Sequence, residues 1–341
     1  MIGSIGRELG ESSFVAHDAR FAAVLGHEPT LELVVATDAH EGPVYVADED
    51  ALYFTSRPRE IRDPAPGHRE SSIKRVSLDG DSFPVEPDAV FVVSARANNA
   101  NGMCLARDGA LIVCEQGSRS EHAAIARVDR RTGASEVVVE EWRGLRLSSP
   151  NDVVVKSDGS VWFTDPSYGH LQGFRPEPQV GDYVYRHDPT TGRTSVVADS
   201  FVKPNGLAFS PDEDVLYITD SGANQEAGSY YIGLPHHILA FDVRDGRHLT
   251  SARLFAVTTP GFPDGIKVDM DGRVYASSFS GVQVFDPTGD LIGEIHLPGA
   301  VNFTFGGPDR NVLFITTDDA IWAARLAAQG IPPAPDLTQG V

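Results

Sequence analysis

The chain has 341 residues, 41% hydrophobic and 22% charged, with a formal net charge of -20. That acidity argues against nucleic acid and anionic membrane as partners, since both are held by basic patches, while the hydrophobic share suffices for a large core. No N-terminal apolar stretch of signal-peptide type occurs, and no stretch nears the ~20 apolar residues of a membrane span, so the cytoplasm is the expected compartment.

In chain order, one pattern recurs six times: a short polar signature, an apolar strand, a tight acidic or glycine turn, and a second apolar strand. His40-Glu41-Gly42 precedes PVYVADEDALYFTS, Asn101-Gly102 precedes MCLARDGALIVCEQG, and Asn151-Asp152 precedes VVVKSDGSVWFTDPS. Asn205-Gly206 then precedes LAFSPDEDVLYITDSG, Asp264-Gly265 precedes IKVDMDGRVYASS, and Asn302 precedes FTFGGPDRNVLFITT. Self-similarity at roughly 40 to 60 residues, built from hairpins, predicts an all-β fold, a six-bladed β-propeller. Third strands are predicted at 73–78, 125–129, 183–187, 238–243, 282–286 and 320–325, and fourth strands at 90–93, 136–139, 194–198, 253–256 and 291–295, from period-2 alternation and β-branched content. The sixth blade lacks a fourth strand, and the apolar run Leu31 to Ala36 is expected to supply it and close the ring. The expected organisation is an N-terminal extension at 1–30, one propeller at 31–326 and a C-terminal tail at 327–341.

This topology places the chemistry. Every signature stands at the start of an innermost strand, so all six share one end of the central channel. The second strand runs back antiparallel to that same end, so the segments after it (56–71, 116–122, 165–181 and 220–236) are expected to form the rim. Long loops on one face of a rigid scaffold are where binding and catalysis concentrate. Asp165 and Asp220, which open two of these segments, are expected to contact substrate.

Other motifs carry less. The acidic first turns read as hairpin punctuation, because no twelve-residue loop ending in Glu follows as a calcium loop requires. Cys104 and Cys114, nearly opposite each other on one hairpin, read as reduced, buried thiols. His236 and His237 are adjacent and point to opposite faces, a poor chelate. No G-x-S-x-G elbow, H-E-x-x-H, phosphate loop or dinucleotide fingerprint is present. What remains is the channel set Glu41, Asn101, Asn151, Asn205, Asp264 and Asn302. Two carboxylates with several amide oxygens on one axis form the hard-oxygen environment preferred by Ca2+, although Asn and Asp there could also serve only as strand caps and turns.

The segments from Ser149 (SPNDVVVKSDGSVWFTDPSYG), Lys203 (KPNGLAFSPDEDVLYITDSG) and Phe262 (FPDGIKVDMDGRVYASSFSGVQVF) closely resemble the gluconolactonase/regucalcin (senescence marker protein) family. HEGPVYVADEDALYFTS and TFGGPDRNVLFITT are similar to its lactonohydrolase branch, and the likeness runs from about Leu31 to Arg325. The resemblance implies a six-bladed propeller with a divalent cation in the channel, usually Ca2+, with Mg2+, Mn2+ or Zn2+ as alternatives, and hydrolysis of a small-molecule lactone. It implies Glu41, Asn151, Asn205 and Asp264 as metal ligands, Asn101 as a substrate-orienting residue, and Asp264 also as general base. Gln116 departs from the His that bacterial gluconolactonase-like members often carry there. A phosphotriesterase-like hydrolase on the same metal set and a non-catalytic calcium-binding propeller are the competing expectations. The oligomeric state is not legible.

Overall fold

The structure, a computed structural model, describes residues 13–61, 68–78, 80 and 82–333. It contains six four-stranded antiparallel units, each traversed from the inside outward. Blade one comprises Glu41–Val46, Ala51–Thr55, Ile73–Ser77 and Val90–Ser94, and blade two Ala100–Leu105, Leu111–Glu115, Ala124–Val128 and Ser135–Val139. Blade three comprises Val153–Val155, Val161–Asp165, Tyr183–Asp188 and Arg193–Ala198, and blade four Pro204–Phe209, Val215–Asp220, His237–Arg244 and His248–Val257. Blade five runs through Ile266–Val268, Val274–Ser278, Gly281–Phe285 and Leu291–His296. Blade six has Phe303–Gly306, Val312–Thr316 and Asp318–Arg325, and its outer strand is Thr30–Ala39 from the start of the chain. Leu31 pairs with Ala324 and Ala36 with Ala320, so the ring closes as expected, through a strand longer than the apolar run.

Strand periodicity explains why the second strands are apolar on both faces. Successive side chains point to opposite sides of a blade, and each side of a blade faces a neighbour. Leu52 and Phe54 accordingly pack toward blade six, whereas Ala51 and Tyr53 pack toward blade two. Trp162 lies against blade four, and Val161 and Phe163 against blade two. An apolar cluster fills each of the six blade junctions. Fully burying one such side chain is worth roughly 1.5–3 kcal/mol, so the ring is held by many modest contributions. Outer strands face solvent on one side and leave Phe91, Val92, Val137 and Leu254 exposed.

The described part of the segment read as an N-terminal extension is built into the ring wall. Phe14–Ala16 adds a fifth strand to blade five, pairing Phe14 with Ile295 and Ala16 with Gly293. Phe21 and Val24 are fully buried in the junction of blades five and six. The ring of Phe21 lies where Gly293 has no side chain, and a Cβ there would come within 2.3 Å of it. On the C-terminal side, Leu326 and Ala328 are buried and Asp269 bridges to Gly330; residues 1–12 and 334–341 lie outside the described residues. Cys104 stands opposite Ile112 rather than beside Cys114, and both thiols are free. Burial raises both of their pKa values, which fits inert core thiols. No helix among the described residues is long and apolar enough to cross a membrane.

Candidate functional site

The polar signatures do two jobs at once. In each Asn-Gly or Asp-Gly pair the polar residue faces the channel, and the glycine lets the neighbouring blade approach. A Cβ on Gly206 would come within 2.3 Å of the Asp264 carbonyl oxygen, and one on Gly102 within 2.5 Å of the Asn151 carbonyl oxygen. Adjacent inner strands therefore touch backbone to backbone, and only glycine fits.

A second device fixes the entrances in register. Thr55 Oγ1 donates to the carbonyls of both Glu41 (3.0 Å) and Asn101 (3.1 Å). Thr164 Oγ1 donates to the Asn205 carbonyl (2.7 Å), Thr219 Oγ1 to the Asp264 carbonyl (3.3 Å), and Thr316 Oγ1 to the His40 carbonyl (2.7 Å). Each threonine stands last or next to last in a second strand and ties its blade to the entrance of the next. The repeated FTS, FTD, ITD and ITT endings were the available sequence signal for this ladder.

Above these anchors opens a cavity of about 410 Å³ whose wall includes Glu41, Asn101, Asn151, Asn205 and Asp264 together. Glu41, Asn101, Asn151 and Asn205 are buried to within a few per cent of full enclosure. Asn302, the sixth entrance residue, stands behind the cavity and donates through Nδ2 to Glu41 Oε2 at 2.6 Å. The predicted rim segments supply Pro58, Glu60 and Arg69, then Gln116, then Tyr168 and Gln172, then Asn224; residues 62–67 of the first segment lie outside the described residues. Arg69 donates to Gln172 Oε1 at 2.8 Å and lies over the Phe174 ring at 4.9 Å. Gln116 is buried and its Oε1 accepts from Asn99 at 3.3 Å.

Electrostatically the site is short of positive charge. Burial, reinforced by the charge of Asp264, pushes Glu41 up to about 8. Burial likewise pushes Asp264 up to about 7, against a hydrogen bond from Asn205; the residue itself is part-buried and lines the cavity. Asp152 lies close enough to raise both, and its Oδ2 is buried without a hydrogen-bond partner. Two mutually repelling carboxylates with amide side chains in the same wall are a donor set that fits a hard divalent cation. Among the described residues no cluster of three or more His, Cys, Asp or Glu side chains is placed to hold a metal, so any such site here mixes acids with amides.

Asp165 and Asp220 stand apart from this set. Neither lines the cavity, and each accepts backbone N–H groups: Asp165 from Ser148 (2.9 Å) and Ser149 (2.8 Å), Asp220 from Val202 (2.9 Å), Lys203 (2.9 Å) and Gly222 (3.1 Å). Both were expected to contact substrate, and the structure gives them backbone partners and no place in this cavity's wall. Both residues end a second strand with the side chain turned into the loop that leads to the inner strand of their own blade, where backbone donors claim it. Conversely, His40 was missed as a side chain of interest. It lines the cavity, and its Nδ1 pairs with Asp318 at 2.6 Å. Burial lowers its pKa, but the Asp318 hydrogen bond and the Glu41 charge outweigh that and raise it on balance.

Comparisons with known proteins bear on this geometry. A gluconolactonase of Zymomonas mobilis is 33% identical over 285 residues, covering 81% of this chain and 75% of that protein. A lactonohydrolase of Aspergillus oryzae is 27% identical over 330 residues, covering 90% and 73%. The structure of a gluconolactonase from Xanthomonas campestris superposes with a TM-score of 0.75 at 33% identity, covering 93% of this chain and 96% of that one. The sequence model of the SMP-30/Gluconolactonase/LRE-like region matches residues 39–319, from just before the first channel signature to the third strand of the last blade, and the chain belongs to that family.

Proposed function

We propose that this protein hydrolyses the ring ester of a small lactone, sugar-derived or closely related, using a divalent cation held by Glu41, Asn151, Asn205 and Asp264. Family membership and relatives that are gluconolactonases and a lactonohydrolase support lactone hydrolysis. The observation that carries the metal reading is the pair of mutually repelling carboxylates, Glu41 buried and Asp264 part-buried, in one wall with two asparagines. Two negative charges and amide oxygens favour Ca2+ over softer ions. When bound, the cation supplies Lewis-acid polarisation of the lactone carbonyl.

The side chains account for the rest. Asp264 accepts a proton from water as the water oxygen bonds to the carbonyl carbon. The ring C–O bond then breaks, and the same carboxyl returns the proton to the departing ring oxygen, giving the hydroxy acid. Asn101 orients the ring, and the Glu60, Arg69 and Gln172 side chains at the mouth offer donors and acceptors to hydroxyl groups. Buried walls keep bulk water from screening these interactions.

The test is acid release in a pH-stat from sugar, pantoyl and aliphatic lactones and one aryl phosphotriester, before and after chelation and with Ca2+, Mg2+, Mn2+ or Zn2+ added back. Lactone turnover lost on chelation and restored by Ca2+ is the expected result. Turnover indifferent to chelation removes the metal from the reading. Turnover of the phosphotriester alone assigns the other hydrolase class, and tight Ca2+ binding without turnover leaves a calcium-binding propeller.

A further inference from the structure

A second cavity of about 300 Å³ shares the Asp264 wall with the first. The partition between them also includes the His40–Asp318 pair, with His40 on the first side and Asp318 on the second. The two sides differ in chemistry. The first is lined by carboxylates and amides, whereas the second is walled by Phe262, Phe279, Ala300, Val301 and Gly299. Its polar side chains are already engaged: Ser277 Oγ accepts the Asp264 N–H at 2.9 Å, Ser278 Oγ pairs with Ser280 at 2.9 Å, and Asp318 pairs with His40. A ligand entering this side meets apolar surface and committed hydrogen-bonding groups.

The aromatic wall is set in place. Phe279 is 47% exposed, an uncommon position for a phenylalanine, yet its ring contacts Phe262 and Tyr230, each with centroids 5.3 Å away. Beneath it lies Gly261, at φ +95°, where a Cβ would meet the ring at 2.5 Å. The Phe279 N–H donates to the Pro260 carbonyl at 3.0 Å. Three chain segments thus meet to hold an open aromatic face beside the carboxylate placed at the reacting centre. Exposed apolar surface at the edge of a polar site marks a place for an apolar ligand group.

The geometry points to a substrate whose lactone ring carries an apolar substituent, an alkyl or aryl arm, lying in the second cavity against the face formed by Phe262 and Phe279, while the ring ester lies over Glu41 and Asp264. Phenylalanine rather than tryptophan or tyrosine at both lining positions suits a hydrocarbon arm, since neither ring offers a hydrogen bond. This inference rests on the lactonase reading above and narrows it to substituted lactones.

The experiment is a series of lactones with one ring size and alkyl arms of increasing length, assayed on the wild-type protein and on Phe279→Ala and Phe279→Leu. With each methylene buried, kcat/KM of the wild type should rise about fourfold until the cavity is filled. Phe279→Ala should flatten that rise, lowering the ratio of kcat/KM for the longest arm to that for the bare ring by about tenfold, and Phe279→Leu should recover part of it. Because Phe279 is half exposed, neither substitution threatens the core, and a melting curve on each variant verifies this. A kcat/KM independent of arm length, or a slope the same in wild type and Phe279→Ala, overturns the aromatic arm and leaves the lactonase reading standing. Turnover of no lactone overturns both.

Discussion

Among the carboxylates around the channel end, two pairs meet opposite fates. Asp165 and Asp220 end second strands and are embraced by backbone N–H groups, two for Asp165 and three for Asp220. Glu41 and Asp264 begin innermost strands or the turns just before them, and they share the cavity wall with fewer partners, Asn302 and the Gly42 N–H for Glu41 and Asn205 for Asp264. The first pair is satisfied by the fold itself, and the second is left in need of a cation. A buried acid supported by the backbone is architecture; a buried acid opposed by another acid is a site, because its cost persists only where function maintains it.

Substitutions should therefore separate the pairs by sign as well as size. The largest effect is expected for Asp264→Asn, which keeps the shape and removes the proton acceptor: kcat should fall more than about a hundredfold with metal saturating. Metal occupancy has to be measured on the same sample, because loss of the ion would imitate loss of the base. Near wild-type turnover in the loaded variant would place the base elsewhere. Next is Glu41→Gln, which removes one of the two charges balancing the ion and should weaken divalent-cation binding by about 10- to 100-fold in calorimetric titration. Both substitutions relieve the mutual repulsion, so the metal-free variants should melt higher than metal-free wild type. Lower melting would mean that the two acids are paired structurally after all.

For the supported pair the sign reverses. Asp220→Asn replaces an acceptor of three N–H groups by an amide that turns donors toward them, and stability should drop by about 1–3 kcal/mol in denaturant unfolding. Turnover per folded molecule should persist, since the Asp220 carboxylate is not in the cavity wall. Loss of turnover at unchanged stability would return Asp220 to the site.

The sequence made the ring legible because each blade repeats one physical recipe, alternating strands with Asp-Gly or Pro-Asp turns, and because six entrance signatures recur at the same place in it. The gathering of Glu41, Asn101, Asn151, Asn205 and Asp264 in one cavity followed from that repetition alone. Contacts made by closing the ring were not legible. His40 and Asp318 lie 278 residues apart and meet only because the Thr30–Ala39 strand pairs with the last blade. The backbone partners of Asp165 and Asp220 were not legible for a related reason. Sequence places a residue at a strand end, but it does not say which nearby backbone the side chain turns into. Phe21 was hidden similarly, since its seat on Gly293 joins the start of the chain to blade five.

Asp165 offers the finest test of the comparison, because it is supported by the backbone and yet strained by burial. Burial pushes its carboxyl up to about 7, with the Ser148 and Ser149 N–H bonds pulling the other way. An acid whose folded value lies above its unfolded value of 3.8 keeps its proton in the native state while the unfolded chain releases it. Between those values the native state binds more protons, so stability falls as pH rises, and the loss is complete above about 7. Asp165→Asn has no proton to lose there. The other acids titrate in both proteins and cancel in the difference. The advantage of wild type over Asp165→Asn should consequently be greatest in acid, shrink toward neutral pH and stay constant above it. Denaturant unfolding of the metal-free proteins near about pH 5.5, 6.5 and 8 reads this directly. Parallel stability curves would mean that Asp165 titrates alike folded and unfolded. A wild-type advantage that grows with pH would mean that two backbone N–H groups outweigh full burial, and Asp165 would then behave as an ordinary stabilising carboxylate.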